Sequence, residues 1–271
     1  MGTRLEAVTG AEYDAARRKF MGSHSLERFR RSPLEFQLMA KGMIQDKDSS
    51  AYAFGRAFHC WFLEGEAEFH RRYVVSEGPI NEKTLKPYGR DTKAFSEWMA
   101  ANVMPGQELI TGEEFSRIKQ MAEATKQTEG IGYLAVGNPE VTIRGDIFGV
   151  DCQSRLDWLN VNAGYFVDVK TDAELDTFVY RFGKFGYARQ LAFYREMVRA
   201  LGTGQEWSVF VLAIEKEMPF RSQLYRVMDS TLLAAREEVI QALDQYKQLR
   251  LREDDSEWPI SLVYGQKVEV I

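Results

Sequence analysis

The sequence predicts a mixed α/β fold of the α+β-like kind, in which a central, mostly antiparallel sheet is flanked by helices. Through the first third of the chain, apolar residues recur at three- and four-residue spacing, which is typical of amphipathic helices. From about residue 140 the pattern changes to the alternation of strands, and helical patterns return after it. We predict one domain over 1–271, with a helical N-terminal region at about 1–130, a catalytic sheet with its helices at about 131–252, and a tail at 253–271.

The N-terminal region is predicted to consist mainly of helices. Ser25 is the expected N-cap of one helix, and Ser32 is the expected cap of the next, which begins at Pro33. A strongly apolar helix over 49–66 directs Phe58 and Trp61 towards the core. The predicted helices are 12–20, 25–31, 33–42, 49–66, 92–104 and 111–128, with a long loop at 76–91.

The second half of the chain is predicted to alternate strands and helices. "EVTIRG" (140–145) and "IFGVDCQSRLDWL" (147–159) read as strands, with a turn near Gly145–Asp146. The turn "NVNAG" (160–164) leads into a third strand, "YFVDVKT" (165–171). Further strands are expected at 206–216 and 220–228, and helices at 174–184, 186–201 and 229–252.

Composition and cysteine content restrict the class of protein. The net charge of −5 argues mildly against a protein that coats nucleic acid nonspecifically. We find no apolar run of about eighteen residues and no basic-then-apolar N-terminal signal, so we expect no membrane contact. Cys60 and Cys152 form no CxxC pair, so we expect neither a zinc site nor an iron–sulfur site. Two such isolated cysteines are compatible with the reducing conditions of the cytoplasm.

The stretch "YFVDVKT" places two opposite charges inside an apolar run. Strand alternation puts Asp168 and Lys170 on one face, and Val167 on the other. A hairpin centred between residues 162 and 163 pairs positions whose numbers sum to 325, so Asp157 faces Asp168. Paired carboxylates repel unless a cation such as Mg²⁺ lies between them, and a nearby ammonium can activate water. This combination suits phosphodiester hydrolysis. The alternative is a surface hairpin with a solvated Asp–Lys pair.

Two helices carry further candidates. Tyr187, Gln190 and Tyr194 lie on one helical stripe, and a plain aromatic core stripe would not ordinarily place a glutamine at its centre. His59 lies in the Phe- and Trp-rich helix after "FGRAF". It is either a satisfied core histidine or a neutral imidazole that supplies a nitrogen ligand to a cation.

The order of these motifs resembles that of RecB-type nucleases of the PD-(D/E)xK superfamily, which have a restriction-endonuclease-like core. The motifs are "GxxxH" (Gly55 to His59), Asp157, the strand-borne "DVK" and "QxxxY" (Gln190 to Tyr194). In addition, "SHSLERFRRSPLEF" (23–36) and "GRAFHCWFLEGEAEFHRRYVV" (55–75) are similar to segments of phage and prophage RecE-like exonucleases of the exodeoxyribonuclease VIII type. The resemblance runs from about residue 20 to about residue 200.

The resemblance implies roles for individual residues. Mg²⁺, for which Mn²⁺ can substitute, would be bound by His59, Asp157, Asp168 and the backbone carbonyl of Val169. Glu140 would be an acidic residue outside this set of direct ligands. Lys170 would act on the attacking water, while Gln190 and Tyr194 would order the site and contact the DNA backbone. The candidates for holding DNA are Arg28, Arg30, Arg31, Lys86, Arg90 and Tyr187, and the alternative for each charged residue is a solvated surface charge. "RLD" (155–157) replaces the "RPD" of many relatives, and the cysteines of an iron–sulfur cluster are absent.

The resemblance also implies a function. The expected enzyme is a Mg²⁺-dependent 5′→3′ exonuclease of duplex DNA in the cytoplasm of a bacterial host, encoded by a phage or prophage. It would form a homo-oligomeric ring around DNA ends and pass 3′ overhangs to a RecT-like single-strand annealing protein. The alternatives are another PD-(D/E)xK nuclease acting on flaps or single strands, a catalytically silent DNA-binding subunit, and a carboxylate-pair glycosidase.

Overall fold

The computed structural model describes residues 2–44, 50–251 and 256–262, with the side chains of 50–52 left out. The helices are α1 Gly10–Ala15, α2 Ser23–Arg31, α3 Pro33–Ala40, α4 Ser50–His59, α5 Glu66–Arg72, α6 Lys93–Asn102, α7 Gly112–Thr125, α8 Phe178–Lys184, α9 Tyr187–Arg199 and α10 Asp229–Arg250. The strands are β1 Arg4–Glu6, β2 Tyr73–Val75, β3 Ile80–Asn81, β4 Lys86–Pro87, β5 Glu108–Ile110, β6 Asn138–Ile147, β7 Val150–Asn160, β8 Tyr165–Asp172, β9 Ser208–Glu215 and β10 Ser222–Arg226.

A six-stranded sheet with the order β1-β6-β7-β8-β9-β10 organises the molecule. Its neighbouring strands are antiparallel except for β8 and β9, which are parallel and joined through α8 and α9. A parallel pair needs such a crossover, because a tight turn cannot return the chain to the starting edge. The predicted α/β fold with a mostly antiparallel central sheet is therefore confirmed. The region predicted to be helical also contains the short strands β1 to β5.

Helices cover both faces of the sheet. One apolar core lies between the sheet and α2, α9 and α10, and a second lies between the sheet and α4, α5 and α7. Successive residues of β8 alternate between them, with Phe166 in the first core and Val167 in the second. Because both faces are covered, Asp168 is only 2% exposed. A solvated surface hairpin at "DVK" is therefore wrong.

The turn between β6 and β7 differs from the prediction. It lies at Phe148–Gly149, where both residues have positive φ and Ile147 pairs with Val150. A two-residue hairpin turn of this hand matches the twist of the strands. Gly145 instead remains inside β6, where a Cβ would lie 2.1 Å from Thr3 Oγ1. The glycine therefore marks a close approach of the N-terminal chain and not a turn.

The start of α2 also differs from the prediction. Ser32 caps α3 through a 3.2 Å hydrogen bond from the Glu35 N–H, as predicted. Ser25 is not a cap, since α2 begins at Ser23 with Gly22 at the N-cap. The reason lies one residue earlier, because Met21 is hydrogen-bonded to the backbone of β7 and the helix starts directly after that bridge.

Two other predicted segments are more complex in the structure. The helix predicted over 49–66 is α-helical up to His59 and continues as a π-helix over Cys60–Glu64. The predicted loop at 76–91 contains the β3–β4 hairpin. None of the helices in the described ranges is both long and apolar enough to cross a membrane.

Candidate active site

Three carboxylates form one row across β6, β7 and β8. Trp158 pairs with Val167, which confirms the predicted hairpin register and places Asp157 opposite Asp168. On the other side of β7, pairs on either side of Asp157 place it opposite Glu140. The β6–β7 ladder skips this row, and the β7–β8 ladder ends directly before it. Asp157 therefore lies where the pairing of β7 with both of its neighbours is interrupted, which leaves backbone groups there free to bind side chains.

Asp157 is fixed by two contacts. Its Oδ2 atom accepts a 2.6 Å hydrogen bond from the backbone N–H of Val169, and its Oδ1 atom lies 3.7 Å from His59 Nδ1. Burial opposes ionisation, but His59, Lys170 and the Val169 N–H together lower the pKa of Asp157. The same carboxylate raises the pKa of His59, against the effect of burial. The contact therefore favours an ionised Asp157 beside a protonated His59 ring.

Glu140 belongs to the same group of ligands. Single ligand atoms of His59, Glu140 and Asp157 all lie within 4.8 Å of one another. Burial and the charge of Asp157 raise the pKa of Glu140, although Arg155 binds its Oε2 atom at 2.5 Å. The sequence suggested only an outer acid here. The sequence prediction placed the β6–β7 turn too early, so it paired Asp157 with the wrong residue. Only a turn at Phe148–Gly149 brings Glu140 opposite Asp157.

Asp168 and Lys170 form the second half of the site. Lys170 Nζ lies 2.7 Å from Asp168 Oδ2 and 5.1 Å from the centre of the Tyr187 ring. Burial raises the pKa of Asp168 to about 6, and the charge of Asp157 adds to this effect while Lys170 opposes it. Although burial alone would lower the pKa of Lys170, the two aspartates raise it. Lys170 is therefore an ammonium held between the acids and an aromatic ring.

The "QxxxY" stripe of α9 meets the first turn of α2 at this site. Gln190 Nε2 donates a 2.9 Å hydrogen bond to the Tyr194 hydroxyl, and Ser23 Oγ lies 3.4 Å from the same oxygen. Burial raises the pKa of Tyr194, so its hydroxyl stays protonated. The stripe is thus a hydrogen-bonded group and not a purely apolar core.

Sequence reasoning missed Ser23 and His24 as neighbours of the site. His24 is exposed, but the surrounding protein and the positive charges of Lys170, Arg17 and Arg28 lower its pKa. It is therefore neutral at physiological pH. The "SHS" triplet in the first turn of a basic helix was the available signal, but only the packing of α2 on α9 brings Ser23 to Tyr194.

Gly55 explains the spacing of the "GxxxH" motif. A Cβ at this position would lie 3.4 Å from Thr171 Oγ1, at the limit of ordinary contact. The glycine therefore lets α4 approach β8 closely. One turn later, the same helix places His59 beside Asp157.

The candidates for holding DNA lie in different environments. Arg28 and Arg31 share Glu35, at 3.8 and 3.0 Å, while Arg30 contacts Glu27 and Glu238. Lys86 and Arg90 are exposed and have no ion-pair partner in the described part of the chain. Tyr187 begins α9 next to Lys170. Their contact with DNA remains a prediction.

The donors of this site fit a divalent cation. Carboxylate oxygens are the preferred ligands of Mg²⁺ and Mn²⁺, and an imidazole is compatible with the latter. Two observations indicate unbalanced negative charge: Glu140 has a raised pKa beside Asp157, and the buried Asp168 Oδ2 makes no hydrogen bond of acceptable geometry, despite the nearby Lys170. The Val169 N–H is bound to Asp157, and the predicted role of its carbonyl stays a prediction.

Comparison with known proteins agrees with this fold. A solved structure of a proposed exonuclease from Eubacterium rectale superposes with a TM-score of 0.63 over 92% of this chain and 89% of that one, at 18% sequence identity. At this identity the likeness shows the fold alone. No curated protein matches the chain. The family model described as "PDDEXK-like domain of unknown function (DUF3799)" matches residues 23–261. This chain belongs to that family and carries a nuclease domain of the PD-(D/E)xK superfamily.

Proposed function

We propose that this protein is a divalent-metal-dependent exonuclease that degrades the 5′-ended strand of duplex DNA. The observation that carries the proposal is the row of Glu140, Asp157 and Asp168, of which Asp168 is buried and the other two are half-buried, with Lys170 2.7 Å from Asp168. A carboxylate-pair glycosidase has no use for the lysine or for the His59 imidazole. A silent binding subunit would not need to keep a desolvated acid of raised pKa.

His59, Glu140, Asp157 and Asp168 would hold Mg²⁺ or Mn²⁺, which when bound supplies Lewis acidity and lowers the pKa of a coordinated water. The residues of the chain then have separate tasks. Asp157 is oriented by the Val169 N–H, so its carboxylate does not need to reorganise. His59 is held against it by α4.

Lys170 is the proton-bearing group closest to Asp168. Its ammonium lies 2.7 Å from Asp168 Oδ2 and can donate to a water or to a phosphate oxygen that gains charge during cleavage. The Tyr187 ring beside it limits the directions in which the ammonium can point. Lys170 therefore orients the attacking water and stabilises the developing charge.

The hydroxyls of Tyr194 and Ser23 and the amide of Gln190 form a hydrogen-bonded group where α9 meets α2. Neutral donors of this kind hold phosphate and sugar oxygens without reading sequence. Arg28, Arg31, Lys86 and Arg90 are the proposed backbone contacts further out. The direction of degradation, the ring and the transfer of 3′ overhangs to a RecT-like annealing protein are proposed on the resemblance to RecE-like exonucleases.

End-labelled DNA tests this function. Linear duplex carrying a 5′ or a 3′ label is incubated with the protein in Mg²⁺, in Mn²⁺ and in EDTA, beside a covalently closed circular duplex. We expect metal-dependent release of the 5′ label, loss of this release in Asp168→Ala, and an intact circle. Asp244→Ala, which changes an exposed aspartate of α10, is the matched control.

Three results would contradict parts of the proposal. An intact linear duplex in both metals contradicts nuclease activity itself. Cleavage of the circle contradicts an exonuclease, and preferential release of the 3′ label contradicts the direction. Light scattering of the purified protein tests the ring, which a monomer at micromolar concentration would overturn.

A further inference from the structure

The segment "FGKFGY" (182–187) lies directly beside the catalytic lysine. Three aromatic residues alternate in it with two glycines and a lysine. It connects the last turn of α8 to the first residue of α9. The sequence pattern alone predicts only a break between two helices, so the arrangement of its side chains comes from the structure.

The aromatic rings form a continuous series that starts at Lys170. Lys170 Nζ lies 5.1 Å from the centre of the Tyr187 ring. The Tyr187 ring in turn lies 5.8 Å from that of Phe185 and 6.0 Å from that of Phe182. These separations are within the range of interacting aromatic pairs. Phe185 is therefore two contacts away from the group that orients the water.

Exposure increases along this series. Phe178, Phe182 and Phe185 follow one another at i, i+4 and i+7, so they share a face of α8 that turns towards Tyr187. Phe178 is fully buried, Phe182 is half-buried and Phe185 is 52% exposed. The buried rings fix the position of Tyr187, while Phe185 keeps much of its surface open to solvent. An exposed ring held by a rigid aromatic base is suited to accept another flat group.

The charge around the segment favours an anionic occupant. Lys184 is exposed and has no ion-pair partner within the described residues. Arg181, one turn earlier, is instead bound to Asp172 and makes no such contribution. A free lysine beside exposed aromatic rings is a combination by which proteins hold single-stranded nucleic acid, since the cation meets phosphates and the rings meet bases.

We propose that "FGKFGY" is a base-stacking platform for unpaired nucleotides of the strand that enters the site, with Phe185 as the stacking residue and Lys184 as the phosphate contact. The platform rests on the proposed function, because it takes DNA as the occupant. Its effect is to separate the terminal bases of the strand from their partners and to hold the scissile phosphate near Lys170. Stacking tolerates any base, as an enzyme that degrades DNA of all sequences requires.

Fluorescence of 2-aminopurine tests the platform in the full chain. The probe is a duplex with a short 5′ single-stranded extension in which one unpaired base is 2-aminopurine, and Ca²⁺ replaces Mg²⁺, with intact DNA verified on a gel. We expect wild-type protein to quench the probe on binding, because stacking quenches this base. Phe185→Ala should abolish the quenching of 2-aminopurine on binding and weaken the binding of the probe about tenfold, in line with the loss of one stacked base. Phe185→Trp should restore both.

Tyr180→Ala is the matched control. Tyr180 is 71% exposed on the same helix, but it lies on another face and has no ring contact within the described residues. The Tyr180→Ala variant should bind the probe and quench its fluorescence as wild type does. Equal losses in Tyr180→Ala and Phe185→Ala would overturn the platform, as would wild-type quenching in Phe185→Ala. Thermal unfolding of each variant verifies that the fold is kept.

Failure of the platform is distinguishable from failure of the nuclease assignment. If wild type degrades DNA in Mg²⁺ or Mn²⁺ and Phe185→Ala leaves probe binding unchanged, only the platform is overturned. If wild type binds the probe through Phe185 but degrades no DNA in either metal, only the nuclease assignment is overturned. If wild type does not bind the probe, the platform is overturned whatever the outcome of the cleavage assay.

Discussion

The Asp157 carboxylate accepts a 2.6 Å hydrogen bond from the Val169 N–H at the point where the paired residues of β7 and β8 end. The Asp157 side chain thus accepts the hydrogen bond that a backbone carbonyl of β7 would accept from β8 in a continuous ladder. The contact satisfies a buried N–H that the interrupted ladder would otherwise leave unpaired. It also fixes the acid relative to Asp168 and Lys170, which belong to the same strand as Val169.

Substitutions of Asp157 separate this structural task from the chemical one. Asp157→Asn keeps an oxygen that can accept from Val169, so we expect near-native stability with nuclease activity reduced by at least about a hundredfold. Asp157→Ala leaves the N–H unsatisfied and should lower the free energy of unfolding by about 1–3 kcal/mol. Urea unfolding and the end-labelled DNA assay measure the two effects. Equal destabilisation by both variants would contradict the structural task.

Divalent cations should stabilise the protein through His59, Glu140 and Asp157. At a hundredfold excess over its Kd, a bound cation adds about 2.7 kcal/mol, so Mn²⁺ should raise the Tm of wild type in a thermal scan. His59→Ala should weaken Mn²⁺ binding by about tenfold or more, because an imidazole nitrogen is lost. His70→Ala, a change of an exposed histidine on α5, is the control. The same Mn²⁺ dependence in His59→Ala and wild type would exclude His59 as a ligand.

Larger side chains at Gly55 should displace α4 from β8. The Cβ atom of Gly55→Ala would lie 3.4 Å from Thr171 Oγ1, which is an ordinary contact distance, so we expect this variant to remain active. Gly55→Leu must push the helix outward, which should cost about 1–3 kcal/mol and move His59 away from Asp157. Thermal unfolding and Mn²⁺ titration of both variants make the comparison. Wild-type metal affinity in a folded Gly55→Leu would refute the close-approach explanation.

The Tyr194 hydroxyl should matter more for activity than for folding. Tyr194→Phe removes the acceptor of Gln190 and the neighbour of Ser23, with a loss of about 1 kcal/mol in stability. We expect kcat to fall roughly fivefold to tenfold, equivalent to about 1–1.4 kcal/mol at the barrier. Tyr225→Phe, whose hydroxyl bonds only to the nearby Gln223 among the described hydrogen bonds, is the control. Unchanged kcat in Tyr194→Phe would show that its hydroxyl has no part in the reaction.

Acid should loosen the packing of α2 on α9 through Glu27. Burial alone would raise the pKa of Glu27, but Arg189, which binds both its oxygens at 2.8 Å, and Arg30 together lower it. A lowered pKa means that Glu27 stabilises the fold above its ordinary value of 4.5 and that this contribution is lost as the pH falls below it. Because the side chain is 42% exposed, we expect less than about 1 kcal/mol.

Comparison with Glu27→Gln isolates this contribution. Wild type should be the more stable at pH 6, and the difference in unfolding free energy should shrink as the pH is lowered towards 3. Chemical denaturation at several pH values measures it. A difference that grows in acid would contradict the lowered pKa of Glu27.

Local patterns were sufficient for most of the fold and for much of the site. The alternation in "YFVDVKT" and the short turn at 160–164 fixed the β7–β8 register, because a tight hairpin leaves only one simple pairing. The β6–β7 hairpin was misplaced, since Gly145 is a turn signal in isolation but packs against Thr3 in the structure. That single error removed Glu140 from the row of acids.

The sequence by itself determined the strand that carries Asp168 and Lys170, the acid opposite it and the spacing of Gly55, His59, Gln190 and Tyr194, because strand and helix periodicities decide which side chains share a face. Only the tertiary structure decided that Glu140 joins His59 and Asp157, that Ser23 reaches Tyr194, and that Phe185 stands exposed beside Tyr187. These residues belong to elements far apart in the chain. Their proximity follows from how helices pack on the two faces of the sheet, and no local pattern contains that information.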